Sequence, residues 1–253
     1  MSLYTYVKEK NSVKKRVVSM TSYIVLTMGA FLLFWSFYPV VAFEVYSRLF
    51  IKREFIAPIP SVSAMTPSSV SNSVGSYSPY SNNLRDFTQA SLWFPDATKS
   101  LSKNTRSTKK LTIKQYSLSI PKLSIDHAKV FVGGEDLTQG LVQYLPTSYP
   151  GEYGNIAIFG HSTLPQLYNP KDYKSIFTYL PSLEKGDRVT VHFDGFDYEY
   201  QIDEMFVIKP EQVSILEQRY DASYITLVTC VPPGTYWNRL VLRGKLTSLP
   251  TNL

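Results

Sequence analysis

A cysteine and an arginine lie on either side of a predicted turn. Cys230 ends residues 225–230, a β-branched and apolar run without Gly or Pro that predicts a strand. Two prolines and a glycine at 232–234 then turn the chain, and residues 239–244 predict the returning strand. If these strands pair, Arg239 comes within side-chain reach of the Cys230 sulfur. A fixed cation beside a thiol favours the thiolate, which is the nucleophilic form.

Cys230 is the only cysteine of the 253 residues, so it has no partner for an intrachain disulfide. A free cysteine is also a common small apolar residue in protein cores. Seen from this stretch alone, both a reactive nucleophile and an inert buried thiol remain open.

The candidate for a second reacting group is His161. It follows the apolar run 155–159 and Gly160, so we expect it in a loop just beyond a strand end. Catalytic side chains are concentrated in such loops. A structural loop residue is the alternative interpretation.

The other two histidines are predicted to face solvent. His192 has the same strand parity as Arg188 and Thr190, and His127 follows a predicted turn at 124–126. One cysteine and three scattered histidines do not have the spacing of a zinc site. The acidic residues Glu135, Asp136 and Glu211 are too dispersed to indicate a cation site. We therefore expect no metal and no cofactor.

The N-terminal part of the chain has the pattern of a membrane anchor. Residues 17–43 form a run without a charged side chain, and this run is long enough for a transmembrane helix. Five Lys or Arg precede it within 1–16. This bias predicts a cytoplasmic basic segment at 1–16, a signal anchor at 17–43 and an extracytoplasmic remainder. A cleaved signal peptide is the alternative, but the run is longer than an ordinary signal core and lacks a small-x-small site.

A Ser- and Pro-rich stretch follows the anchor. Residues 44–113 predict an extracytoplasmic stalk, because most of their sequence is too polar to fold alone. The apolar island 84–96 interrupts this stalk and predicts a short helix that covers the following domain, and a lid is the hypothesis for its role. The basic excess, +6 overall, is clustered and does not alternate with stacking aromatics, so nucleic-acid binding is not predicted.

Residues 114–248 predict a mostly β domain. Short alternating runs recur between turn residues, as in a barrel or a sandwich, with helical breaks expected at 164–180 and 210–216. About 130 residues are enough for one core.

Three motifs of this domain resemble those of the sortases. Residues 226–230 (Thr-Leu-Val-Thr-Cys), with Arg239 nine residues after Cys230, resemble the family signature. Residues 159–162 (Phe-Gly-His-Ser) resemble the catalytic histidine segment, and 120–125 the first barrel strand. The resemblance implies an eight-stranded β-barrel with one or two short helices, preceded by the transmembrane helix.

The same resemblance implies the chemistry. Cys230 would be the nucleophile of a cysteine transpeptidase, His161 its general acid and base, and Arg239 the group that stabilises the oxyanion. The hydroxyl of Thr229, next to Cys230, is a further candidate for substrate binding, with orientation of the thiol or an ordinary strand position as the alternatives. The expected partners are secreted proteins with a C-terminal sorting signal and an amine acceptor, either a cell-wall peptide or a pilin lysine. A membrane-tethered Cys-His hydrolase and a non-catalytic surface β-domain are the alternatives.

The subclass is less clearly indicated. The Cys-to-Arg spacing and the Pro-Pro-Gly after Cys230 resemble class C or class D sortases. Many class C enzymes carry a lid with an Asp-Pro-aromatic motif before the barrel and a second hydrophobic segment at the C-terminus. In this chain residues 93–96 have the lid residue types in another order, and no second apolar run follows the predicted barrel.

Overall fold

The computed structural model describes residues 12–53, 88–94, 113–144, 148–247 and 251–252. Most of the predicted basic segment, at 1–11, lies outside the described residues. The same holds for 54–87 and 95–112, which make up most of the predicted stalk and both ends of the predicted lid.

The described part of the chain after the N-terminal helix is built of β-strands joined by turns and short 3₁₀ segments. The strands are β1 (Lys52–Arg53), β2 (Gln115–Ile120), β3 (Ile125–Val132), β4 (Leu141–Tyr144), β5 (Gly154–Phe159), β6 (Arg188–Phe193), β7 (Phe196–Ile208), β8 (Ser223–Val231), β9 (Asn238–Leu246) and β10 (Thr251–Asn252).

Strands β2 to β9 form a closed eight-stranded barrel. Their order is β7-β6-β2-β3-β4-β5-β8-β9, and β9 pairs back onto β7. The 13-residue β7 is long enough to do this, because its first half pairs with β6 and its second half with β9. Closure leaves few free backbone groups at sheet edges. The predicted eight-stranded barrel is confirmed.

Two apolar clusters lie on opposite faces of the barrel wall. One fills the barrel, and the other covers the outer face of β4, β5 and β8 together with residues 90–94 and the 3₁₀ segment Val213–Leu216. Every residue of β5 and β8 is therefore buried. Cys230 belongs to the outer cluster, so the candidate nucleophile lies on the outside of the wall beneath a protein cover.

The N-terminal helix α1 (Ser12–Phe50) is long and apolar enough to cross a membrane. Side chains 13–38 are exposed along its whole circumference, whereas Phe43, Ser47 and Ile51 are buried. β1 then pairs in parallel with Phe206 and Val207 of β7. The helix thus continues beyond the predicted anchor boundary at 43, and residues 43–53 pack against the barrel where the sequence suggested the start of a stalk.

The local structure differs from the sequence interpretation in two further places. β4 was not predicted, because all four of its side chains are buried and its sequence shows no alternation. The helical breaks contain only the 3₁₀ segments Pro165–Leu167, Leu180–Ser182 and Val213–Leu216. Pro170 lies in the interior of the predicted helix 164–180 and has no amide hydrogen to donate there, which an α-helix would need.

Gly160 allows the chain after β5 to pack closely against the barrel. A Cβ at this position would lie 2.5 Å from Phe177 and 2.6 Å from Leu141. We expect Gly160→Ala to lower the free energy of unfolding by about 1–3 kcal/mol, because these core side chains would have to move. Thermal unfolding of the full chain in detergent measures this change. An unchanged melting temperature would show that the packing tolerates an extra methyl group.

Candidate active site

Cys230 and Arg239 are direct cross-strand partners. Both lie near the turn that joins β8 to β9, and their Cα atoms are paired in the antiparallel ladder. Their exposed fractions are only 3% and 2%. The structure therefore brings the sulfur and the guanidinium together, in a place that is closed to solvent.

His161 lies at the same end of the barrel. β5 pairs in parallel with β8, and their ladder ends with Phe159 opposite Val228. The residues that follow Phe159 therefore lie beside the last residues of β8. Two side-chain hydrogen bonds then connect the segments: Ser162 Oγ donates to the Cys230 carbonyl at 2.6 Å, and Thr229 Oγ1 to the Gly160 carbonyl at 2.8 Å. His161 is thus held next to the strand that carries Cys230.

Trp93 covers His161 and Arg239 and belongs to the same buried apolar cluster as Cys230. Its ring stacks on Phe159 with centroids 5.4 Å apart and lies 5.7 Å from the His161 ring. The Arg239 guanidinium carbon lies 5.3 Å from the centroid of the indole, and Arg239 Nη2 donates to the Trp93 carbonyl at 3.2 Å. Trp93 and Phe94 have no exposed surface. The described part of the predicted lid, 88–94, therefore closes the site in this conformation.

The other side of segment 88–94 pairs with the loop between β3 and β4. The amide of Ala90 donates to the Glu135 carbonyl at 2.9 Å, and the amide of Leu137 donates to the Thr88 carbonyl at 3.0 Å. The amide of Ser91 donates to the Glu135 carboxylate at 3.0 Å. These hydrogen bonds hold segment 88–94 against the loop between β3 and β4 and do not involve the Trp93 side chain.

Burial controls the charge state of the closed site. It raises the pKa of the Cys230 thiol, against the opposing effect of the Arg239 charge. It lowers the pKa of His161 to about 4, with Asp136 as the largest opposing influence. Arg239 lowers the pKa of the thiol, as the sequence predicted, but burial raises this pKa by more. At neutral pH the thiol and the imidazole are both uncharged.

Two polar atoms in the site have no hydrogen-bond partner among the described residues: His161 Nε2 and Arg239 Nε, both buried. Such unpaired groups are uncommon and cost free energy in a folded protein. The Arg239 Nη1 atom donates to the Tyr236 and Asn238 carbonyls at 3.0 and 3.3 Å. Arg239 is thus fixed by its own turn, while part of its hydrogen-bonding capacity remains unused.

Thr229, predicted to bind substrate, precedes Cys230 on β8 but faces the opposite side of the strand. Its side chain is fully buried, and its hydroxyl donates to Gly160. Because alternate residues of a strand face opposite sides, it points away from the face that carries Cys230. In this conformation it joins the His161 segment to β8 and is not presented to a substrate.

The solvent predictions for the other histidines are partly wrong. His127 is exposed but belongs to β3, not to a turn. His192 is mostly buried: its ring stacks on His127 at 4.1 Å and bonds to Ser119 and Asp197. Ser119 Oγ also accepts a hydrogen bond from the His127 amide. The two histidines, Ser119 and Asp197 thus form one cluster of contacts across neighbouring strands. Among the residues that the structure describes, no group of three or more His, Cys, Asp or Glu could hold a metal ion.

Sequence reasoning missed two contributors to the site. Ser162 directly follows His161 in the Phe-Gly-His-Ser motif, so its position was a usable signal. Glu135 was considered only as a cation ligand. Its bonds to segment 88–94 join residues 44 positions apart, and no local pattern marks them.

Comparisons with known proteins identify the barrel. The model of the Sortase domain matches residues 118–247. Sortase D of Bacillus subtilis (strain 168) is 26% identical over 132 residues, 51% of this chain and 61% of that protein. Sortase A of Bacillus anthracis is 27% identical over 137 residues, 54% of this chain and 58% of that protein. The chain spans about three fifths of the length of these curated relatives.

A solved structure of a Clostridium perfringens Sortase D5 transpeptidase is also similar. The two chains are 24% identical, with a TM-score of 0.46, and the match covers 61% of this chain and 88% of the other.

The charge state of the closed site is testable through the reactivity of the thiol. Because burial raises the pKa of Cys230, we expect the pH midpoint of its alkylation by iodoacetamide to be higher in the folded chain than in the same chain in denaturant. The chain contains one cysteine, so mass spectrometry reads this site alone. A lower midpoint in the folded chain would mean that Arg239 outweighs burial.

Proposed function

The chain belongs to the sortase family, and from that premise we propose that it is a membrane-anchored cysteine transpeptidase. It cleaves a C-terminal sorting signal of secreted proteins and joins the acyl part to an amine. The observation that carries this proposal is the placement of Cys230 opposite Arg239, with His161 beside them just after the end of the neighbouring strand β5.

The first step is acylation of the nucleophile. The Cys230 thiolate attacks a peptide carbonyl of the sorting signal, and a C–S bond forms as the carbonyl becomes a tetrahedral oxyanion. His161, as the imidazolium, gives its proton to the departing amine when the C–N bond breaks. The product of this step is a thioester on Cys230.

Arg239 stabilises the oxyanion. Its planar guanidinium is already fixed by the Tyr236 and Asn238 carbonyls, so little reorganisation is needed when the negative charge forms. Nη2 already donates to the carbonyl oxygen of Trp93 at 3.2 Å, and this contact supports a carbonyl-binding position at Arg239.

The second step is resolution by an amine. The acceptor nitrogen attacks the thioester, His161 takes the proton that this nitrogen loses, and the C–S bond breaks to restore the Cys230 thiolate beside the His161 imidazolium. The acceptor is a cell-wall peptide or a pilin lysine, and the outcome is wall anchoring or pilus polymerisation. In this proposal α1 holds the N-terminus in the cytoplasm and the barrel outside.

Segment 88–94 is a lid in this proposal. With Trp93 in place, Cys230 has almost no exposed surface and Arg239 is bonded to the segment's own carbonyl. Departure of the segment readmits water, which lowers the pKa of Cys230 and raises that of His161 toward their ordinary values. Both changes favour the thiolate–imidazolium pair that the first step needs.

The transfer is tested with synthetic peptides that carry sorting signals of candidate secreted substrates, with and without an added amine. We expect an amide product only with amine, and none from Cys230→Ala. Arg239→Ala should lower the rate by about 100- to 1,000-fold, as loss of an oxyanion donor does. Arg239→Lys should recover little of it, because the planar fork is lost. Free acid as the sole product in the presence of amine would indicate a hydrolase.

The lid is tested by removing the indole. We expect Trp93→Ala to raise the alkylation rate of Cys230 near neutral pH by about tenfold or more, since a shift of one pKa unit changes the thiolate fraction tenfold. Leu92→Ala is the matched control, because the neighbouring Leu92 is 38% exposed. Equal rates in wild type and Trp93→Ala would contradict the lid and support an inert core thiol.

A further inference from the structure

Two hydroxyl groups continue the pairing of β5 and β8 beyond the end of their backbone ladder. The last ladder pair is Phe159 with Val228, followed by a bond from the Gly160 amide to the Val228 carbonyl at 3.1 Å. In a parallel pair, the next acceptor for the β5 chain is the carbonyl two residues further along β8. That acceptor is the Cys230 carbonyl, and it receives the hydroxyl of Ser162.

His161 lies between the two hydroxyl-linked positions. On one side the Gly160 carbonyl accepts from Thr229, and on the other Ser162 donates to Cys230. The His161 carbonyl itself accepts the amide of Phe177 at 2.9 Å. These bonds fix the backbone of the general acid, but only the Ser162 bond ends on the residue that carries the nucleophile.

We propose that Ser162 is a positioning residue for the transfer reaction. By bonding the Cys230 carbonyl, it sets the distance and orientation of the His161 imidazole relative to the Cys230 sulfur. The proposal rests on the proposed function, because it assigns Ser162 a part in the same chemistry. Ser162 acts through His161 and Cys230 and transfers no proton itself.

The geometry favours this role over simple stabilisation of the fold. The bond is short, 2.6 Å, and joins residues 68 positions apart. The described loop after β5 has separate attachments, such as the Thr163 amide on the Thr178 hydroxyl at 3.0 Å. Loss of the Ser162 hydroxyl therefore leaves the loop attached to the barrel, but the position of the loop relative to Cys230 is no longer fixed. A misplacement of about 1 Å between reacting groups costs about 100-fold in rate.

The kinetic test compares Ser162→Ala, Ser162→Thr and a matched control in the full chain in detergent. Ser182→Ala is the control, since Ser182 also donates to a backbone carbonyl, that of Tyr179 at 2.7 Å, but on the exposed surface. We expect Ser162→Ala to lower kcat per titrated thiol by about 10- to 100-fold with KM within about twofold. Ser162→Thr keeps the hydroxyl and should retain most of the activity, and Ser182→Ala all of it.

A structural role predicts another result. If Ser162→Ala reduces only the number of titratable thiols, with kcat per thiol unchanged, the positioning role is overturned. It is equally overturned if Ser162→Thr loses as much kcat as Ser162→Ala.

A second readout does not depend on turnover. The chain has three histidines, so ¹⁵N-histidine NMR resolves each ring. Burial lowers the pKa of His161 to about 4, and a released segment would admit water and raise it toward the ordinary value. We expect this rise in Ser162→Ala but not in Ser162→Thr, and an unchanged pKa would overturn the proposal. A wild-type chain without transfer activity would instead contradict the proposed function, so the two failures are distinguishable.

Discussion

The structure depends on the exclusion of water from the surface shared by Cys230, His161 and Arg239. Trp93 lies against the imidazole and the guanidinium, and with Phe94 it completes the apolar cluster that contains the sulfur. Burial there disfavours charge on both the thiol and the imidazole. In the closed molecule both side chains are therefore neutral, and in the mechanism that we propose they become an ion pair when water returns. In that proposal one conformational variable controls both access to the site and its reactivity.

Barrel topology explains how distant parts of the chain meet at this surface. The parallel pairing of β5 with β8 places the chain after Gly160 next to the end of β8, and the antiparallel pairing of β8 with β9 places Arg239 opposite Cys230. Each group is thus positioned by a different strand neighbour. The closed wall fixes all three, because no strand of the ring can shift without disturbing its neighbours on both sides.

The sequence predicted those features that depend on local patterns. Alternation identified β6, and turn residues identified the hairpin that pairs Cys230 with Arg239. β4 lacked such a pattern because both of its faces are covered. Parity predicted that His192 faces solvent, but its partners Ser119 and Asp197 belong to other strands, so its burial had no local signal.

Local patterns also could not predict the direction of the pKa shifts in the site, because these shifts depend on contacts with a distant part of the chain. They depend on Trp93, which lies 146 positions before Arg239. The apolar island was visible in the sequence, but its contact surface was not. Likewise, the docking of residues 43–53 on the barrel depends on buried helix positions that resemble the end of any apolar anchor.

The most direct measurement of the central claim is mass spectrometry of the intermediate on Cys230. The full chain is incubated with a sorting-signal peptide in the absence of amine, then digested, and the fragment containing Cys230 is weighed before and after an amine is added. The account predicts a peptide acyl adduct on Cys230 that disappears on addition of amine as an equal amount of amide product forms. An amide product formed while Cys230 stays unmodified, or an adduct that amine does not discharge, would contradict it.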